Sequence, residues 1–121
     1  MSLHLTPEIL AAAYTYLRST QPFHRWKLPP AHEIKFRVVR SKDFEAMYDD
    51  KKSKRDRPGQ APQVLVSSFN VGHSYSLMEA MAHEMVHIYL FAKKVRAYHG
   101  PEFERCKRQI CKVHGFDPKR F

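Results

Sequence analysis

The chain is poor in several things at once. Only two of its 121 residues are cysteine, Cys106 and Cys111, five apart and outside any CxxC pair. Neither a disulfide framework nor a thiolate zinc site is therefore indicated, and a reducing, intracellular setting is the default expectation. No apolar run approaches the ~20 residues of a membrane span, and the N-terminus lacks a basic-then-apolar signal pattern. Acidic side chains are also scarce, 12 Asp and Glu against 21 Lys and Arg, for a formal charge of +9 and a pI near 9.8. Such an excess excludes little, but it favours polyanionic partners, nucleic acid before others. Finally, neither Gly nor Pro interrupts the stretch from Leu77 to Ala92.

That uninterrupted stretch contains His83-Glu84-Met85-Val86-His87. On a helix, imidazoles four residues apart stand one turn above each other, about 5–6 Å apart at Cβ. That separation suits two corners of a tetrahedral zinc site with Zn–N bonds of about 2.0–2.1 Å. Glu84 projects about 100° round the helix, beside such a metal, where a carboxylate can take a proton from a zinc-bound water. The pattern is that of a zinc hydrolase, most often a peptidase. A solvated polar face would explain the same three residues. Against it, Met81, Ala82, Met85, Val86, Ile88, Leu90 and Phe91 make the helix apolar on nearly every other side, as a core helix is. Ser76-Leu77-Met78-Glu79 matches a capping box, with Ser76 as N-cap and Glu79 at N3, so the motif is expected in the second turn.

The remaining elements follow from local patterns. Thr6-Pro7-Glu8 is an N-cap, a Pro at N1 and an acidic first turn, and Leu10, Ala13, Tyr14 and Leu17 extend it into a helix over about 7–19. Residues 21–31, with Pro22, Pro29 and Pro30, are expected as an extended connection anchored in the core by Phe23 and Trp26. Ile34, Phe36 and Val38 approximate a strand, and Gln63–Phe69 another. Residues 43–50 fit a helical turn through Phe44, Met47 and Tyr48, or a strand through Phe44, Ala46 and Tyr48. Between them lies a basic loop without large apolar side chains, carrying Lys51, Lys52, Lys54, Arg55 and Arg57. Pro101 suits N1 of a last helix with Phe103, Cys106, Ile110 and Val113 on one side and Gly115 at C′. At 14.3 kDa, with no repeat, residues 1–121 are expected to form one α+β domain.

A catalytic zinc needs three protein ligands and an open position. The metzincin pattern would place Gly and His three and six residues after His87, where the chain has Leu90 and Lys93, so that branch is excluded. His99, His114, Glu102 and Glu104 are the downstream candidates, and His73 lies just before the helix. The motif of residues 83–87 followed by His99-Gly100-Pro101-Glu102-Phe103 resembles the SprT-like family of zincins, in which a HExxH helix is followed by an HGxxF segment. The resemblance implies His83, His87 and His99 as ligands of one catalytic Zn2+ and Glu84 as general base. It also implies a zincin-like fold: an N-terminal helix, a small three-stranded sheet, the HExxH helix and a C-terminal helix, which makes Phe44–Tyr48 a strand.

The expected function is that of a zinc-dependent endopeptidase, a monomer acting on protein or peptide. By resemblance, its substrates would be DNA-bound or DNA-crosslinked proteins, with Lys51, Lys52, Lys54, Arg55 and Arg57 as candidate DNA contacts. Tyr98, Tyr75 and His73 are candidates for a donor to the developing oxyanion. The alternative is a DNA-binding module with structural zinc and latent or no protease activity. An intact Glu84 argues against it, since a structural site needs no base.

Overall fold

The computed structural model describes residues 4–50, 62–95 and 98–121. Thr6 Oγ1 accepts the Ile9 N–H at 3.2 Å, and with Pro7 at N1 this cap starts helix α1, Pro7–Arg18. Leu10, Ala13, Tyr14 and Leu17 line its buried side, the stripe read from their spacing. The proline-containing segment behind it is not simply extended. It folds into two short 3-10 turns, Phe23–Arg25 and Ala31–Glu33, because Pro fixes φ near −65°, which suits a turn as well as an extended chain. Phe23 is fully buried, and Trp26 stacks on Tyr89 with centroids 4.2 Å apart.

Three strands follow: β1, Lys35–Val39; β2, Ala46–Asp49; and β3, Gln63–Ser67. Their order is β1-β3-β2, with β3 parallel to β1 and antiparallel to β2. The last strand to form in sequence thus lies in the centre, and Val64 and Val66 are wholly buried there. β3 stops at Ser67, two residues short of the expected end. The buried Ser67 hydroxyl instead donates to the Ser41 carbonyl and accepts the Ser41 and Phe69 N–H groups. Asn70 Nδ2 adds bonds to the Ser41 and Phe44 carbonyls. Together these fix the 41–45 turn that delivers β2 to the sheet edge. Strand, not helical turn, is the outcome for the ambiguous segment.

Helix α2, Ser74–Ala92, packs against α1, β2 and the last helix, α3, Pro101–His114. It is buried almost all round, with Met81 and Met85 at 0% exposure. Its start differs from expectation. Ser74 and Tyr75 are already helical, His73 is the N-cap, and Ser76 sits at N3, where its Oγ accepts the His73 N–H at 3.2 Å. The motif therefore begins in the third turn, and Glu79, freed from capping, is available elsewhere.

The exit from α2 is a Schellman motif. Val95 N–H reaches the Leu90 carbonyl and Lys94 N–H the Phe91 carbonyl, both at 3.0 Å, with Lys94 at φ 62°. It turns the chain back toward the motif. α3 ends as expected at Gly115, left-handed at φ 77°. Among the described residues no helix is long and apolar enough to cross a membrane.

Candidate metal centre

α2 presents His83 half-buried and His87 buried, one turn apart, while His99 arrives from the exposed segment just before α3. His83 Nε2 lies 3.2 Å from His87 Nε2 and 3.4 Å from His99 Nε2. One nitrogen from each ring lies within 4.8 Å of the others. Tetrahedral ligands at 2.0–2.1 Å from a zinc ion are about 3.3 Å from one another. The spacing therefore fits a metal of that size, and an all-imidazole donor set suits zinc.

The rings are held on several sides. Phe103, buried at the first turn of α3, lies under all three, its centroid 4.9 Å from His83, 5.1 Å from His87 and 4.6 Å from His99. Tyr98 stacks on His87 at 4.2 Å with planes 12° apart. On the other flank His83 Nδ1 is 2.9 Å from the Phe121 carbonyl oxygen. A carbonyl can only accept, so Nδ1 carries the proton and Nε2 keeps its lone pair for the cluster. Burial lowers the pKa of both His83 and His87, the latter to about 3, with the neighbouring imidazoles adding to the effect. Both rings are consequently neutral at pH 7, the form that ligates.

Glu84 is 4% exposed, and its Oε1 has no hydrogen-bond partner. Burial pushes its pKa up to about 8, opposed by a bond from the Tyr48 backbone N–H. That bond places the edge of β2 beside the carboxylate. A cavity of about 230 Å³ opens on one side, lined by Glu45, Ala46, Glu79, His83, Glu84 and Arg120. A larger one of about 900 Å³ opens on the other, lined among others by Tyr48, His87, Ile88, Phe91 and Tyr98.

The other candidates stand elsewhere. His114 Nε2 is 3.0 Å from Thr20 Oγ1 and 2.9 Å from the Gln21 carbonyl, tying the end of α3 to the end of α1. Glu104 pairs with Lys107, and Glu102 is outside the cluster. His73 is the exposed N-cap of α2, ten residues or about 15 Å before His83. Tyr75 packs on Phe116 with its hydroxyl toward the Gly115 carbonyl. Of the three proposed oxyanion donors, Tyr98 alone borders the histidines. Its pKa is raised by burial and by the Glu84 charge. Lys51, Lys52, Lys54, Arg55 and Arg57 lie outside the described residues. An exposed basic stripe runs along α3 through Arg105, Arg108 and Lys112, at helical spacing.

Three converging imidazole nitrogens near a buried carboxylate, on a frame that among the described residues comprises three α-helices and a small mixed sheet, define a candidate metal centre. Residues 63–120 match the model of the SprT-like family, just under half the chain but including both the α2 motif and His99. The match supports the SprT-like resemblance over that span, and the family suggests a metalloprotease-type role. No curated protein matches the sequence.

Proposed function

We propose that the protein is a zinc-dependent endopeptidase with a zincin-like centre, in which His83, His87 and His99 hold one Zn2+ and Glu84 is the general base. The observation that carries this reading is the convergence of the three Nε2 atoms beside the unpaired, buried Oε1 of Glu84. When bound, zinc supplies Lewis acidity, making water ionise near neutral pH and polarising a carbonyl. The chain's own residues do the rest. A nearby cation draws a carboxyl pKa down, so Glu84, held near 8 without one, becomes ionised and able to take a proton at Oε1. It returns that proton to the departing amine. Tyr98, whose ring stacks on His87, is the residue we assign to donate to the carbonyl oxygen as charge develops there.

The substrate class this reading favours is a peptide, because among the described residues β2 is an edge strand of the sheet and lies beside the carboxylate. Ser67 N–H bonds to the Glu45 carbonyl, so Glu45 faces β3, and by alternation the backbone groups of Ala46 and Tyr48 face outward. The Tyr48 N–H is taken by Glu84, so an extended chain would pair along that edge through the remaining outward groups, its side chains entering the two flanking cavities.

The substrates we favour are proteins attached to DNA, with contact through the α3 stripe and the basic residues 51–57. The decisive experiment measures bound zinc and cleavage of a DNA-binding protein, with and without DNA, in wild type and Glu84→Gln. Wild type should bind one zinc and cut, and Glu84→Gln should bind zinc and cut at least about 100-fold more slowly. Parental cleavage by Glu84→Gln removes it as the base. DNA affinity should fall steeply between 50 and 200 mM salt, and salt-independent binding removes the DNA contact.

A further inference from the structure

Glu79 is a buried carboxylate that the peptidase chemistry does not use. It is 3% exposed, and its Oε2 makes no hydrogen bond. Burial raises its pKa, while Arg120 and the nearby Tyr75 hydroxyl pull it down. A carboxylate so placed is costly unless a partner holds it. The partner is the half-exposed Arg120, whose Nε is 3.5 Å from Glu79 Oε1.

Arg120 belongs to a tight turn. Its N–H and that of Phe121 bond to the Asp117 carbonyl, at 3.0 and 3.1 Å, and the Lys119 N–H caps on Asp117 Oδ1 at 2.9 Å. Phe121 in turn offers its carbonyl to His83 Nδ1 and packs its ring against His83 and Phe103, at 5.4 and 6.1 Å. Glu79 and His83 are four apart, stacked on one face of α2. Two consecutive residues of the turn thus dock on two consecutive turns of the helix, one through charge and one through the imidazole.

We propose that the Glu79–Arg120 pair is a positioning clamp: it fixes the 117–121 turn so that the Phe121 carbonyl holds His83 in the Nδ1–H form with Nε2 toward the cluster. A carbonyl orients the imidazole only while it stays in place; beside its own Asp117 bonds and the packing of the Phe121 ring, the ion pair is the polar tie of this turn to α2 at Glu79. The pair acts on metal affinity without touching the metal. The inference rests on the reading that the histidines bind metal, but its first consequence is visible without one.

The test uses wild type, Arg120→Gln, Arg120→Lys, Glu79→Gln and the Glu79→Gln/Arg120→Gln double variant. Long-range 1H–15N spectra of the metal-free proteins report the His83 tautomer. Wild type and Arg120→Lys should show the Nδ1–H form, and Arg120→Gln and Glu79→Gln a mixture. Competition with a chelator should give Zn2+ affinity about tenfold weaker in each Gln variant. The double variant should be no weaker than the worse single one, as for two ends of one device. Arg120 is half-exposed, so its replacement leaves the fold in place even if Glu79→Gln does not. An unchanged His83 tautomer with unchanged Zn2+ affinity in Arg120→Gln overturns the clamp. Failure of wild type to bind Zn2+ overturns the metal reading instead, and the tautomer comparison still decides the clamp.

Discussion

Two of the three candidate ligands come from the interior of a core helix, and the third from an exposed segment between helices. His83 and His87 share α2 with Met81 and Met85, both wholly buried, and their separation is set by helix geometry. His99 stands exposed after the Schellman turn at Lys94, touching the His83 and His87 rings at 5.3 and 5.1 Å, with Tyr98 and Phe103 packed beside them. Ridges of packed side chains leave the helical pair little freedom, whereas a segment with few buried contacts adjusts cheaply. The helical half therefore ties the candidate centre to folding, and the exposed half is the part whose removal should cost the fold least.

Phe103 is where the halves meet, so its removal should have the largest effect. Phe103→Ala takes a buried ring from beneath all three imidazoles and should cost about 3–5 kcal/mol of stability. Urea unfolding of the metal-free protein measures it. A loss below about 1 kcal/mol would mean that the halves are joined by something else.

The two halves should separate when single ligands are removed. His87→Ala and His99→Ala should both reduce Zn2+ binding by at least 100-fold, since three protein ligands are the minimum for such a site. Only His87→Ala should also destabilise the metal-free protein, by about 1–3 kcal/mol, because it opens a gap between Tyr98 and Phe103. His99→Ala should stay within about 0.5 kcal/mol, as exposed positions do. Equal destabilisation by the two would erase the distinction.

Acid–base behaviour should report the helical half alone. Glu84 has a folded pKa near 8, raised from 4.5, so between those values the folded state keeps a proton that the unfolded state has lost. Its contribution is present below pH 4.5 and is lost as pH rises to 8. His87 is opposite: lowered from 6.5 to about 3, it lets the unfolded state bind the extra proton, and stability falls as pH drops through that range. Between pH 4.5 and 6.5 the two oppose each other. From pH 6.5 to 8 Glu84 acts alone, and metal-free stability should fall by up to about 1.4 kcal/mol per pH unit. Glu84→Gln should flatten that slope. A slope that survives in Glu84→Gln would place the titration elsewhere.

How much of this was legible in the sequence follows the same division. The spacing of His83 and His87 on an uninterrupted apolar stretch could be read directly, because helix period is a property of the chain itself, whereas His99 stood among several downstream candidates until the resemblance singled it out. The start of α2 was not. Ser76 and Glu79 have the residue types of a capping box, yet Ser76 serves as N3 to His73, and Glu79 meets Arg120, a contact 41 residues away. The orienting acceptor of His83 is a backbone carbonyl, which leaves no mark on sequence. The 3-10 turns at Phe23 and Ala31 were hidden by prolines compatible with both shapes. For β2, one half-buried edge strand of four residues, the local pattern supported two readings, and the resemblance decided between them.

The exit from α2 also departs from local rules, and it offers the finest probe of the exposed half. The Schellman position usually belongs to Gly, but here it is Lys94 at φ 62°. A left-handed residue with a Cβ carries about 1–2 kcal/mol of strain, partly offset in glycine by the greater entropy of the unfolded chain. Lys94→Gly should accordingly stabilise the protein by about 0.5–1 kcal/mol in urea unfolding. Because the two carbonyl bonds at Leu90 and Phe91 are unchanged, the Schellman geometry is kept, and Zn2+ affinity should move by less than about twofold. A gain in stability with a large loss of affinity would show that the lysine conformation, and not the Schellman hydrogen bonds, aims His99 at the helical pair.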